Sequence, residues 1–238
     1  MVTLSGLMKM SLLASNAIAA VLMGMFICIP GCKKEDDNIV TDIDGNVYHT
    51  VNIGTQVWMV ENLEVTRYLN GDPLPNITDS TEWDNLTTGA YCDFDNNTSN
   101  TSVYGHLYNW YAVNDSRNLC PSGWHVPTDN DWAILIDYLG GEEMAGGMLK
   151  ETDTVFWHSP NTGATNKSGF TGLPGGCRRH DGPFHYGAYY GFWWTATEVD
   201  PQLVWYRMLV HDSPGCFRNH YGKDYGLSVR CVRDLVIL

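Results

Sequence analysis

The stretch NLCPSGWHVPTDNDW, residues 118–132, decides how the chain begins to fold. Pro127 rigidifies a helix entry, Thr128 stands at the N-cap, and Asp131 occupies the capping-box position three residues on. Trp132, Leu135, Ile136 and Leu139 fall on one face at helical spacing, and Gly140-Gly141 ends the run. The pattern predicts a helix over 128–139 with Trp132 in the core. Cys120 and His125 raise a rival reading, a zinc site. Two such residues five positions apart, with no nearby Cys or His, are a poor ligand set. The stretch therefore reads as a structural corner: Pro121-Ser122-Gly123 turn the chain and Trp124 packs.

Working outward, a second helix is expected over 142–151, with Met144, Met148 and Leu149 inward and Gly146-Gly147 weakening it. Upstream, Val47, Val51, Ile53, Val57 and Met59 alternate between turn signals at Asp44-Gly45 and Gly54-Thr55, which predicts a β-meander over 39–63. Asp42, Asp44 and Asn46 have calcium-loop spacing, but the later ligands are missing and the segment reads as a turn. Asp93, Asp95 and Asn97 repeat that spacing in a loop-rich region. Without the glycine and glutamate that follow in an EF-hand, they are candidates only for an irregular calcium site. The segment 103–113, VYGHLYNWYAV, is read as core. Towards the C-terminus, YYGFWWTATEV, LVWYRMLV and GLSVRCVRD predict three strands, with Trp193, Trp194 and Trp205 in the core. The expectation is one α+β domain over 39–238.

Composition supports a packed, turn-rich domain: aromatic residues make up 12%, charged residues only 17%, and there are 24 glycines. Lys9 is the sole charged residue before Cys32, so the chain from Cys32 onward carries 27 acidic against 13 basic side chains. That surface repels phosphate backbones and argues against nucleic-acid binding. Lys9 and the apolar run that follows have the layout of a signal peptide over residues 1–31. IPGC at 29–32 resembles a bacterial lipobox, although Pro30 departs from the usual small residue; Cys32 is the expected lipidation site. The rival is an uncleaved membrane anchor. Residues 32–38 then form a lipidated tether. KKEDD after Cys32 resembles the surface-export signal of Bacteroidota lipoproteins, implying an outer-membrane or cell-surface location.

Eight strings occur in order: DIDGNVYHTVNIGTQVWMVENL, YGHLYNWYAV, LCPSGWHVPTDNDW, LGGEEMAGGMLKE, GFTGLPGGCRR, GFWWTATE, VWYRML and YGLSVRCVRD. Together they closely resemble the Fibrobacter succinogenes major paralogous domain over about residues 40–234. That family is similar to the C-type-lectin and formylglycine-generating-enzyme folds. The resemblance implies a C-type-lectin-like domain of two helices, short antiparallel sheets and long loops, and implies no particular activity. The EPN and WND strings of calcium-dependent lectins do not occur. Cys216 and Cys231 lie roughly where the formylglycine-generating enzyme keeps paired redox cysteines, but the surrounding pattern differs, so that oxidase chemistry does not carry over.

With Cys32 lipidated, five cysteines remain, so at least one is unpaired. The lectin-like resemblance implies a bridge from Cys120, before the first helix, to Cys231 in the last strand. Cys177 and Cys216, in neighbouring segments, form a second expected pair. Cys92 is then left over, or pairs with Cys120 instead. No G-x-S-x-G, H-E-x-x-H, C-x-x-C or P-loop occurs. The best ligand candidates are Arg178, Arg179, His180, Asp181, His185 and Tyr186, in a polar loop rich in glycine and aromatics. The expected partners are the membrane, through the lipid, and a glycan or surface protein. The rival assignments are an enzyme of the formylglycine-generating type and a structural surface component.

Overall fold

A computed structural model describes residues 38–234. The expected signal peptide and the expected lipidation site at Cys32 lie outside them. Along the chain come β1 (Ile39–Thr41), β2 (Val47–Ile53) and β3 (Gln56–Met59). A short helix α1 (Ser80–Asp84) precedes β4 (Tyr91–Cys92), α2 (Thr101–Tyr104), β5 (Leu107–Asn109) and α3 (Trp110–Val113). The two longest helices among the described residues follow, α4 (Asp129–Tyr138) and α5 (Glu142–Leu149). The rest is strand and loop: β6 (Cys177–Arg178), β7 (Phe184–His185), β8 (Tyr190–Glu198), β9 (Leu203–Val210), β10 (Cys216–Gly222), β11 (Gly226–Ser228) and β12 (Val232–Asp234). The fold is α+β. No helix among the described residues is long and apolar enough to cross a membrane.

The meander forms as its alternation predicts. β1, β2 and β3 pair antiparallel, and β12 closes that sheet against β3. The second sheet runs β10-β9-β8-β11-β5-β4, with β6 beside β11 and β7 beside β6. It departs from the expected antiparallel pattern where β11 runs parallel to β8, at Ser228 and Trp193. The segment GLSVRCVRD is two strands rather than one, because the chain leaves one sheet for the other at Val229–Cys231. Strand β10 was not expected. CFRNHYG has no apolar alternation, since residues 217–220 are exposed at the sheet's edge.

Helix α4 begins as the corner predicts. The Thr128 hydroxyl accepts from the Asp131 amide at 3.1 Å, and the Asp131 carboxylate accepts from the Thr128 amide at 2.7 Å. Trp132 is buried 4.9 Å from Trp58, with Leu135 and Ile136 beside it. In α5, Leu149 points inward but Met144 is exposed, contrary to expectation. The inward face belongs to the glycines. A Cβ on Gly146 would stand 1.9 Å from the Gly215 carbonyl oxygen, and one on Gly147 2.3 Å from that of Gly163. Their absent side chains let α5 lie directly against backbone. Trp193 and Trp194 are buried as expected; Trp205 is half-buried, with the Arg218 guanidinium 3.4 Å above its ring.

Cys120 and Cys231 form a disulfide with Cα atoms 6.0 Å apart. The expected Cys177–Cys216 pair does not form: the two thiols are free and lie in separate core clusters, as Cys92 does in a third. Two buried cations tie segments together through oxygen. Lys150 donates to the carbonyls of Thr162, Val210 and Ser213, each at 2.9 Å, and burial brings its pKa down to about 8. Arg230 donates to Asn62 and to the Phe170 carbonyl while lying 4.0 Å over the Phe170 ring.

Candidate functional site

The loop proposed for ligands is a tight hairpin. β6 and β7 pair Cys177 with His185 and Arg178 with Phe184, and Gly182, at φ +99°, makes the turn. The chain then reverses into β8 through Tyr186 and Ala188, both in the left-handed region at φ +66° and +67°. Non-glycine residues adopt that region at a cost of roughly 1–3 kcal/mol. The turn is held by the Tyr189 and Tyr190 amides, which donate to the Tyr186 carbonyl at 3.0 Å. It presents the Tyr186 ring, 46% exposed, stacked 4.8 Å from Tyr190.

Arg178 is not an open ligand group. Its side chain is buried, donates to the carbonyls of Gly182, Ile77, Thr78 and Asp79, and lies 4.4 Å over Trp83. It pins the loop before α1 beneath the hairpin. Arg179 and Asp181 pair with each other at 3.1 Å, and His180 lies 3.8 Å from Asp84 and 5.5 Å from the Tyr225 ring. These three form a partly exposed rim, while His185 and Tyr186 turn towards a cleft.

That cleft, about 440 Å³, lies between the hairpin and residues 94–104. Phe94 and Phe184 meet edge to face at 5.6 Å on its lining. Gly176 and Gly187 make room for Phe94, since a Cβ on either would come within 2.6 and 2.5 Å of its ring. Asp95, at φ +56°, stands exposed in the lining, beside Asn100 and Tyr104. The Asn100 amide donates to the Phe94 carbonyl at 2.9 Å, leaving its side-chain oxygen as an acceptor.

The calcium expectation is corrected here. Asp93 is buried, and its Oδ1 accepts from Thr101 Oγ1 at 2.6 Å and meets His106 Nδ1 at 2.8 Å. Burial holds His106 below the usual imidazole range despite that carboxylate. The Asn97 oxygen accepts from the Ser99 amide. The helical turn at Phe94–Asn96, with Asp95 in the left-handed region, breaks that alternation and sends Asp93 inward and Asp95 outward. Among the described residues no group of three or more His, Cys, Asp or Glu is placed to hold a metal ion.

Beyond Tyr186 a run of rings crosses the surface. Tyr190 meets Phe192 at 5.9 Å, Phe192 meets Tyr221 at 6.2 Å, and Tyr221 stacks on Tyr225 at 4.1 Å. All but the buried Phe192 are partly exposed. A second cleft, about 460 Å³, is lined by Trp110, Arg117 and Lys223. Its cations are already neutralised: Arg117 pairs with Asp115 at 2.7 Å and Lys223 with Glu198 at 2.6 Å. The first cleft offers what the second lacks, an exposed ring beside a carboxylate with no ion-pair partner among the described residues.

The free cysteines are not activated as nucleophiles. Burial pushes the thiols of Cys92, Cys177 and Cys216 up to about 12, so each is protonated at neutral pH. The family model described as the Fibrobacter succinogenes major domain matches residues 51–233. No curated protein and no solved structure matches the chain.

Proposed function

The chain belongs to the Fibrobacter succinogenes major domain family, and from that premise we propose that it is a lipid-anchored, surface-exposed binding domain whose Tyr186 cleft takes a neutral glycan. The observation that carries this reading is the Tyr186 ring, held outward by a left-handed turn on the same cleft as the Asp95 carboxylate, which has no ion-pair partner among the described residues. An aromatic face stacks on the apolar face of a sugar ring, and a carboxylate accepts from sugar hydroxyls. Asp95 and the acidic surface disfavour uronic, sialic and sulfated sugars. Binding is independent of calcium.

The signal-peptide layout and the lipobox-like IPGC support the anchor. A bridge from the entrance of α4 to the segment before β12 supports a C-type-lectin-like scaffold. Formylglycine-generating chemistry would need two cysteines poised together, whereas Cys231 is bonded to Cys120 and Cys216 is a separate buried thiol. A glycan array probed with the mature chain, with calcium and with chelator, tests the proposal. Equal retention of neutral glycans in both buffers is expected. Silence across the array, or capture of acidic glycans only, would refute it.

A further inference from the structure

We propose that the outer face of the β1–β2 hairpin rests on the lipid surface to which Cys32 tethers the domain. The inference depends on the lipid-anchor reading. The register pairs Ile39 with His49, Val40 with Tyr48 and Thr41 with Val47. Tyr48 is buried and Val40 packs against the core, so Ile39, Thr41, Val47 and His49 face outward. Ile39 is 42% exposed, Val47 54%, and Ile43 in the connecting turn 40%. Three large aliphatic side chains thus lie open to solvent within nine residues. Scattered singly they would need no explanation; grouped on one face they mark a contact surface.

The charges around them support this occupant. On a strongly acidic chain, the carboxylates of this hairpin are each committed to a partner. Asp42 accepts from the amides of Asp44 and Asn46, from Asn46 Nδ2 and from the Tyr48 hydroxyl. Asp44 accepts from Thr66 and pairs with Arg67, and Glu61 meets His49 at 2.8 Å. Among the described residues the two carboxylates of the hairpin itself are thus withdrawn from this face: Asp42 is buried and Asp44 is paired with Arg67. Chain length supplies the proximity. Ile39 follows Cys32 by seven residues, a reach of at most about 25 Å when fully extended. Tethering at that range gives a high effective concentration, so a weak apolar contact suffices to orient the domain.

The test uses the full chain, acylated in a bacterial host and reconstituted into phosphatidylethanolamine–phosphatidylglycerol vesicles. An environment-sensitive fluorophore is placed at Thr41→Cys, on the proposed face, and separately at Val155→Cys, on an exposed loop outside the hairpin. Brominated lipids should quench the first at least twofold and leave the second unchanged. Replacing Ile39, Ile43 and Val47 by Ser should abolish that quenching with acylation and circular dichroism intact. An acylated protein whose Thr41→Cys probe is unquenched overturns the inference. So does a blue shift without lipid quenching, which would mean that the face is covered by protein. Intact mass separates the two failures: a chain without acyl groups overturns the anchor reading itself.

Discussion

The Asn62 side-chain oxygen accepts from Arg230 Nη2 at 2.7 Å and from Arg230 Nε at 3.0 Å. The same oxygen accepts from Trp193 Nε1 at 2.8 Å, while the Asn62 amide donates to the Tyr104 carbonyl at 2.8 Å. One buried amide thus joins the segment after β3, the crossing between the two sheets, strand β8 and the cleft wall at Tyr104. Replacing Asn62 by Ala strands a buried guanidinium and a buried indole N–H. The expected cost is about 3–5 kcal/mol in urea unfolding. Glycan affinity should fall as well, because Tyr104 loses its anchor.

The Cys120–Cys231 bridge spans a sequence separation of 111 residues. In the chain-entropy model its removal costs about 4–5 kcal/mol. The Cys120→Ser, Cys231→Ser double variant should unfold at correspondingly lower urea, and the wild type should lose the same increment on reduction. The three free thiols should resist alkylation until the chain unfolds, because each is buried.

Asp131 gives a pH dependence with a definite sign. Burial raises its pKa, but hydrogen bonds from His125 and Thr128 outweigh that and hold it below the ordinary carboxylate range. The unfolded chain therefore binds this proton more readily than the folded one. The stabilisation is present above the unfolded carboxylate pKa of about 4 and is lost as pH falls through the lower, folded value. Asp131→Asn should be less stable at pH 7 and should show a flatter acid limb in a melting-temperature profile.

Gly146→Ala sets helix propensity against packing. Alanine favours the helix by about 1 kcal/mol. Here its Cβ would meet the Gly215 carbonyl oxygen at 1.9 Å, so α5 must move away from the start of β10. Overpacking of this kind costs about 1–3 kcal/mol. A net loss of thermal stability is expected, opposite in sign to the same change on an exposed helix face.

These features differ in how far the sequence discloses them. The α4 entrance was legible because Thr128, Asp131 and Gly140 act within a few residues of one another. β8 and β9 were legible as strand-forming aromatic and aliphatic runs. β10 was not, since an exposed edge strand has no apolar alternation. Gly146 and Gly147 looked like weak points because the backbone they touch is distant in sequence: Gly215 follows Gly146 by sixty-nine residues and Gly163 follows Gly147 by sixteen. At the candidate site, the polar loop was found but Arg178 was misjudged, because its carbonyl partners at 77–79 are about a hundred residues upstream. Asp95 was singled out for calcium, yet it faces a cleft whose opposite wall is a distant hairpin. Phe94 and Asn100 carried no signal and Tyr104 was read as core with 103–113, since only tertiary contact brings them to the cleft of Tyr186.

The central claim is that Tyr186 forms a glycan platform. The direct measurement compares the affinity of the wild-type mature chain, Tyr186→Ala and Val155→Ala for the strongest neutral glycan from the array, by calorimetry in chelator. The account predicts binding by the wild type and by Val155→Ala, with Tyr186→Ala weaker by at least about tenfold, or ~1.4 kcal/mol, at unchanged melting temperature. Undiminished binding by Tyr186→Ala would contradict it.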